Sequence, residues 1–308
     1  MKKAFKSSIW AVRPSFGRAV STLAVLQISI GALAQNLFEA DWGGSCIYEF
    51  TSDGAPNTFA SGFTEPTGLA FDRAGNLFVT DYNDSNGSIA EITPGGVQST
   101  FASGLANPEA LAFNSAGDLF VAECGTGIIT EITPEGVQST FASGLAEPFA
   151  LAFDSVGDLF VADASSGIIY EFAPDGTKST FASGLADPVR LAFDGAGDLF
   201  EADFGSGQIN EFTPEGTEST FASGLSPTGL VFNQAGDLFA ADYNSGNIYE
   251  YTPSGIQSTF ASGLSDPEGL AIQLSPEPSV FELLTIGAVI LLCTVVRGRL
   301  NSMLHESK

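Results

Sequence analysis

Two carboxylates, Glu109 and Glu268, and a phenyl ring, Phe149, occupy corresponding places along the chain, each just after a recurring proline. The six occupants of this place are Thr67, Glu109, Phe149, Val189, Thr228 and Glu268, and the residue that follows is small in every copy except Arg190. Gathered around one axis, two acids, a guanidinium and an aromatic ring would form a polar pocket with an apolar wall, the composition of a ligand site. The alternative is drift at exposed loop positions, which forms no site.

Glu39 and Glu201 depart from a second repeated place, where the other copies read Val79, Val121, Val161 and Ala240. Glu201 belongs to the same hairpin as Arg190, so a local ion pair is expected there. Glu39 has no evident partner. It is the candidate for holding a metal ion through its carboxylate oxygens. A further set of acids is repeated throughout: Asp41, Asp81, Glu123, Asp163, Asp203 and Asp242. An acid present in every copy is expected to accept backbone N–H groups in its own turn rather than to act on a substrate. No catalytic residue is assigned. The one histidine, His305, lies far from these positions, which excludes a Ser-His-Asp triad or a His-bound zinc among them. Cys46 and Cys124 sit at different repeat positions, so no disulfide is expected between them.

The elements that must position these residues follow from the repeat itself. Phe-Ala-Ser-Gly begins at Phe59, Phe101, Phe141, Phe181, Phe221 and Phe260, a period close to 40 residues. Each unit holds four short runs rich in Val, Ile, Phe and Thr, separated by Gly, Pro, Asp and Asn, which predicts four strands joined by tight turns. Four antiparallel strands per unit of this length predict one blade of a propeller. The phase adds the manner of closure. The second strand of a blade opens the series at Asn36-Leu37-Phe38, and the innermost strand closes it at Gly269-Leu270-Ala271-Ile272. The expected architecture is therefore an all-β, six-bladed propeller spanning 35–274, with one blade completed by pairing these two ends, three strands plus one. Such pairing leaves no open edge.

The residues Pro66-Thr67-Gly68-Leu69-Ala70-Phe71-Asp72 and Gly75-Asn76-Leu77-Phe78-Val79-Thr80-Asp81, with their counterparts over 36–273, resemble the NHL-repeat propellers and the related gluconolactonase-like group. The resemblance implies the six-bladed fold; that fold serves lactonases, lyases, receptors and inert scaffolds alike. Gluconolactonase-like enzymes hold a divalent metal with Glu, Asn and Asp in the channel. By that resemblance Glu39 or Glu109 would supply the Glu, but no Asn stands at a channel position, Asn107 being a loop residue before Pro108.

The two ends carry separate signals. Residues 1–34 combine Lys2, Lys3, Lys6, Arg13 and Arg18 with an apolar run from Val20 to Leu33 and Ala32-Leu33-Ala34, and read as a secretory signal peptide cleaved before Gln35. Residues 275–308 present Pro276-Glu277-Pro278, an apolar stretch from Leu283 to Val296, and Arg297 and Arg299. This order resembles the PEP-CTERM sorting signal. It implies an exosortase-type processing partner, a transmembrane helix before processing, and delivery to the cell surface or exopolysaccharide matrix of a Gram-negative bacterium. Between the ends, 33 acidic residues face only Arg73, Lys178 and Arg190. A polyanion such as nucleic acid is excluded as a partner by this charge. The expected function is a non-enzymatic binding or structural module, its partner a matrix glycan or a surface protein. The alternative is a metal-dependent lactonase or esterase that works through a metal-activated water at the channel mouth.

Overall fold

The computed structural model describes residues 35–82 and 86–273; the two terminal signals and the Pro276-Glu277-Pro278 motif lie outside the described residues. Twenty-four strands form six four-stranded antiparallel sheets, and each sheet is one blade. Blades 2 to 6 are continuous in sequence, beginning at Pro66, Pro108, Pro148, Pro188 and Pro227. Blade 1 is composite. Its innermost strand, Pro267–Gln273, pairs antiparallel with its second strand, Asn36–Asp41, bringing Leu37 opposite Ile272 and Phe38 opposite Ala271. The expected three-plus-one closure is thus the observed one.

Six apolar clusters hold the ring together, one at each seam between blades. Residues that alternate along a strand point to opposite faces of its sheet, so a blade packed on both sides needs apolar residues at successive positions. The second strands read this way: Leu159 to Ala162 in blade 4 are all buried. The phenylalanines act as a zipper along the seams. Phe160 meets Phe181 of its own blade and Phe193 of blade 5 edge to face, with ring centroids 5.0 and 5.1 Å apart. The same three-ring contact recurs at the seams opened by Phe38, Phe78, Phe120 and Phe200. At the closing seam Phe239 meets Phe260 in the same way, and the innermost strand of blade 1 carries Ile272 where its counterparts carry Phe.

Toward the axis, the innermost strands approach one another closely. An added Cβ at Gly229 would lie 2.2 Å from the Glu268 carbonyl oxygen, and one at Gly269 would lie 2.1 Å from that of Thr67. This is why the position is small in nearly every blade. One residue further along, Leu69, Leu111, Leu151, Leu191, Leu230 and Leu270 form a ring of buried side chains that narrows the channel to a void of about 70 Å³.

The phenylalanine zipper generates a test. Phe160→Ala removes the shared ring at the seam between blades 4 and 5 and is expected to destabilise the propeller by about 3–5 kcal/mol in urea unfolding. A loss below about 1 kcal/mol would mean that the seam tolerates a missing ring and that the zipper does not hold the blades together.

Candidate functional site

The repeated acids at the ends of the second strands shape one face of the ring. The Asp163 carboxylate accepts hydrogen bonds from the backbone N–H groups of Ala146 and Glu147, both at 2.8 Å. Asp203 accepts from Ala186 and Asp187, Asp81 from Thr64 and Glu65, Glu123 from Ala106, and Asp41 from Ser265. Each of these five acids therefore fastens the loop that enters its own blade from the outer strand of the preceding one, whereas Asp242 accepts from Ser245 in the turn that follows it. The expected bond to the acid's own turn forms at Asp41, Asp203 and Asp242, which accept from Gly44, Ser206 and Ser245; the contact with the incoming loop is additional, and it fixes where the next residues point.

Those next residues are the six that follow the recurring proline. All six, Thr67, Glu109, Phe149, Val189, Thr228 and Glu268, line one cup at this mouth of the channel, with Arg190 among them. The cup has a volume of about 510 Å³, within the range of small-molecule sites. The two threonines anchor neighbouring strands: the Thr228 hydroxyl donates to the Pro267 carbonyl at 2.7 Å, and that of Thr67 to the carbonyls of Pro108 and Glu109.

Arg190 reaches across the axis. Its Nη2 lies 3.4 Å from Glu268 Oε2, and its Nη1 donates to the carbonyls of Val189 and Phe149 at 3.0 and 3.3 Å. Glu268 belongs to blade 1 and Arg190 to blade 5, so the pair bridges blade 6. The ion pair expected between Arg190 and Glu201 is not formed. The register places Arg190 opposite Ala202 and Leu191 opposite Glu201, so the two side chains leave opposite faces of their hairpin. Glu201 instead accepts a hydrogen bond from Asn210 Nδ2 at 3.0 Å, inside the blade seam.

Glu39 occupies the same place in blade 1. It is fully buried opposite Leu270 and Tyr48, no side chain hydrogen-bonds its carboxyl, and the backbone N–H of Glu268 is the one group that favours its charge. It is not among the residues lining the cup, so the structure does not bring Glu39 and Glu109 to one ligand-accessible site. Among the described residues no group of three His, Cys, Asp or Glu side chains is placed to hold a metal ion. Cys46 is buried and not in a disulfide.

Burial raises the carboxyls that these positions carry. Glu109 is pushed up to about 8 by burial, an effect that Arg190 partly offsets and that Glu268, Glu147 and Glu65 reinforce. Glu268 is raised to about 7 by burial, again offset by Arg190, with Asp266 acting upward. Glu201 rises to about 9 through burial, opposed by its bond from Asn210, and burial lifts Glu39 well above the usual carboxylate range.

The rim holds residues that the sequence reading passed over. Immediately after the repeated acids stand Trp42, Tyr82, Cys124, Ala164, Phe204 and Tyr243, and the four aromatics among them line the cup. Phe204, Tyr243 and Trp42 come from blades 5, 6 and 1 and form a continuous arc, with ring centroids 6.3 and 6.4 Å apart. Glu147 and Asp187, carried on the loops entering blades 4 and 5, add two acids to the rim. Lys178 lies on an outer strand, its Nζ 3.4 Å above the Tyr170 ring, so among the described residues Arg190 is the single base lining the cup. The aromatic signal was present in the sequence: four of six residues at one repeat position are aromatic. It is interrupted in blades 3 and 4, where the unit looks most regular.

Fold and site together define a six-bladed propeller with a ligand-sized cup at one channel mouth. Solved structures share this fold. A chain of a nidogen/laminin complex is 21% identical with a TM-score of 0.71, covering 78% of this chain and 99% of its own length. A protein assigned as a gluconolactonase is 17% identical with a TM-score of 0.62, over 71% of this chain and 88% of its own. Virginiamycin B lyase from Staphylococcus aureus is 15% identical with a TM-score of 0.56, over 76% and 77%. These likenesses establish the fold, which both enzymes and a component of a binding complex share. No family model matches the sequence, and no curated protein matches it.

The buried acids set the pH dependence of stability. A carboxyl held above its unfolded value binds its proton more tightly in the folded state. Its contribution is complete below the unfolded value and is lost as pH rises through the folded one. With Glu268, Glu109 and Glu201 at about 7, 8 and 9, the melting temperature is expected to fall steadily from about pH 5 to pH 9. General charge repulsion acts in the same direction, so Glu201→Gln serves as the control and should flatten the upper part of the curve. A curve that rises with pH, or one that Glu201→Gln leaves unchanged, would contradict these assignments. Independently, Glu39→Val installs the residue that three other blades carry and removes a buried carboxyl that no side chain hydrogen-bonds. It should stabilise the fold by about 1–3 kcal/mol in denaturant unfolding, whereas a destabilised variant would show that the Glu268 N–H compensates for its burial.

Proposed function

We propose that this chain is an exported propeller that binds a ligand in the cup at its channel mouth without transforming it. The cup itself carries this reading: about 510 Å³, an aromatic arc at the rim, and a charged floor on which Arg190, the only base among the described lining residues, is already bound to Glu268 and to two backbone carbonyls. A guanidinium fixed in this way shapes a floor and holds three blades in register. The described residues contain no histidine and no preassembled group of metal ligands, so the side chains present supply recognition more readily than a nucleophile or an activated water. The terminal sequences support export and retention at the cell surface or in a polysaccharide matrix, through an exosortase-type partner. There the cup would meet a matrix glycan, a surface protein or a small solute.

The second reading is a lactonase or esterase dependent on Ca²⁺, Mn²⁺ or Zn²⁺. It is favoured by the fold likeness to a protein assigned as a gluconolactonase and by the raised carboxyls of Glu109 and Glu268. A panel of lactones and esters assayed with each metal separates the two. No turnover above the metal-only blank is expected. Metal-dependent hydrolysis abolished by Glu109→Ala would replace the binding reading with the enzymatic one.

A further inference from the structure

Trp42, Phe204 and Tyr243 line the cup from blades 1, 5 and 6, and Glu147 and Asp187 line it from the loops entering blades 4 and 5, Asp187 lying directly beside Phe204. The three rings are not coplanar. Trp42 and Tyr243 are inclined at 40°, and Phe204 and Tyr243 at 84°. Rings set at such angles do not offer one flat face for stacking. Their π faces are electronegative, and aromatic enclosures of this kind bind ammonium groups.

The floor points the same way. Glu109 is 7% exposed and lines the cup, and its carboxylate receives no hydrogen bond from any described residue. Arg190, the one cation among the described residues lining the cup, makes its ion pair with Glu268 and acts on Glu109 only through space. Burial keeps the Glu109 carboxyl largely protonated at neutral pH, and a cation seated beside it would favour the ionised form. With Glu147 and Asp187 above it, the surroundings of Glu109 are set for a positive charge and against a phosphate or a carboxylate.

Building on the binding reading above, we infer that the cup takes a compact organic ammonium ion, its alkyl groups against Trp42, Phe204 and Tyr243 and its charge facing Glu109. The chemistry specified is a positively charged nitrogen clothed in methyl or methylene groups. An alkylammonium such as choline and the protonated amine of an amino sugar both carry it. The inclined rings favour the alkylammonium. Phosphocholine should be disfavoured because its phosphate would meet the acidic rim.

The test is titration calorimetry on the full-length protein with choline and tetramethylammonium, alongside 3,3-dimethyl-1-butanol, the uncharged carbon analogue of choline. Both cations should bind, and the uncharged analogue should bind at least about tenfold more weakly. Trp42→Ala and Glu109→Gln should each weaken choline by about tenfold or more, whereas Trp42→Phe, which keeps a ring in place, should retain most of the affinity. Melting curves establish that each variant is folded. Equal binding of choline and its carbon analogue, or unchanged affinity in either Trp42→Ala or Glu109→Gln, overturns the inference. Glucosamine binding more tightly than choline overturns the preference for an alkylammonium, and phosphocholine binding as well as choline overturns the role given to the acidic rim. Neutral sugars bound in the cup with no response to either cation would reject the ammonium while leaving the binding reading in place. Metal-dependent turnover would reject that reading itself.

Discussion

In five of the six blades the second strand ends on a carboxylate that accepts backbone N–H groups from the loop arriving from the preceding blade, and the geometry of the channel mouth depends on this contact. A loop carrying unpaired amides at the edge of a cavity would otherwise be hydrated and mobile. Held by Asp163, the loop at Ala146 and Glu147 delivers Phe149 to the cup; held by Asp203, the loop at Ala186 and Asp187 delivers Val189 and Arg190. The repeated acids are thus the frame, and the residues between frame and strand are free to vary. Six independent choices on one rigid ring are what allow a fold of this kind to acquire a specific site.

Much of this was legible in the chain. The period gave the blades, and its phase gave the pairing of Leu37 with Ile272. Aligning the units brought Glu109, Phe149, Arg190 and Glu268 to one cup, because equivalent positions in a closed ring lie at equal depth along its axis. What failed was reasoning by nearness along the sequence. Arg190 and Glu201 share a hairpin, yet alternation sends them to opposite faces, while the partner Arg190 does find is 78 residues away. The aromatic arc escaped notice for a different reason. It stands beside the repeated acids, and blades 3 and 4 lack it, so it reads as scatter until the ring is closed and Phe204, Tyr243 and Trp42 become neighbours.

Two blade seams contain an acid where the others contain Val or Ala. Glu201 receives one hydrogen bond from Asn210, which stands opposite it in the next strand, and its Oε1 is left without a partner; Glu39 faces Tyr48 and Leu270, and neither of its carboxyl oxygens is paired with a side chain. Burying a carboxyl without partners is unfavourable by the largest electrostatic effect available to a small side chain, and protonation is the usual relief. The closing seam thus combines three departures from the repeat: a buried acid without a side-chain partner, an isoleucine in place of a phenylalanine, and a blade assembled from two distant stretches of chain.

That composite blade bears on how the ring comes into being. Every other sheet is built from neighbours in sequence and can form as soon as its own residues are available. The sheet that joins Asn36–Asp41 to Pro267–Gln273 closes a loop containing the whole of the remaining propeller, so its entropic cost is met last, after the other blades have ordered. Until then the strand Asn36–Asp41 presents an open edge, and Glu268 lies apart from Arg190. The cup is therefore the final part of the molecule to exist: its floor is completed by the same event that completes the ring, and a chain unable to close would have five sound blades and no site.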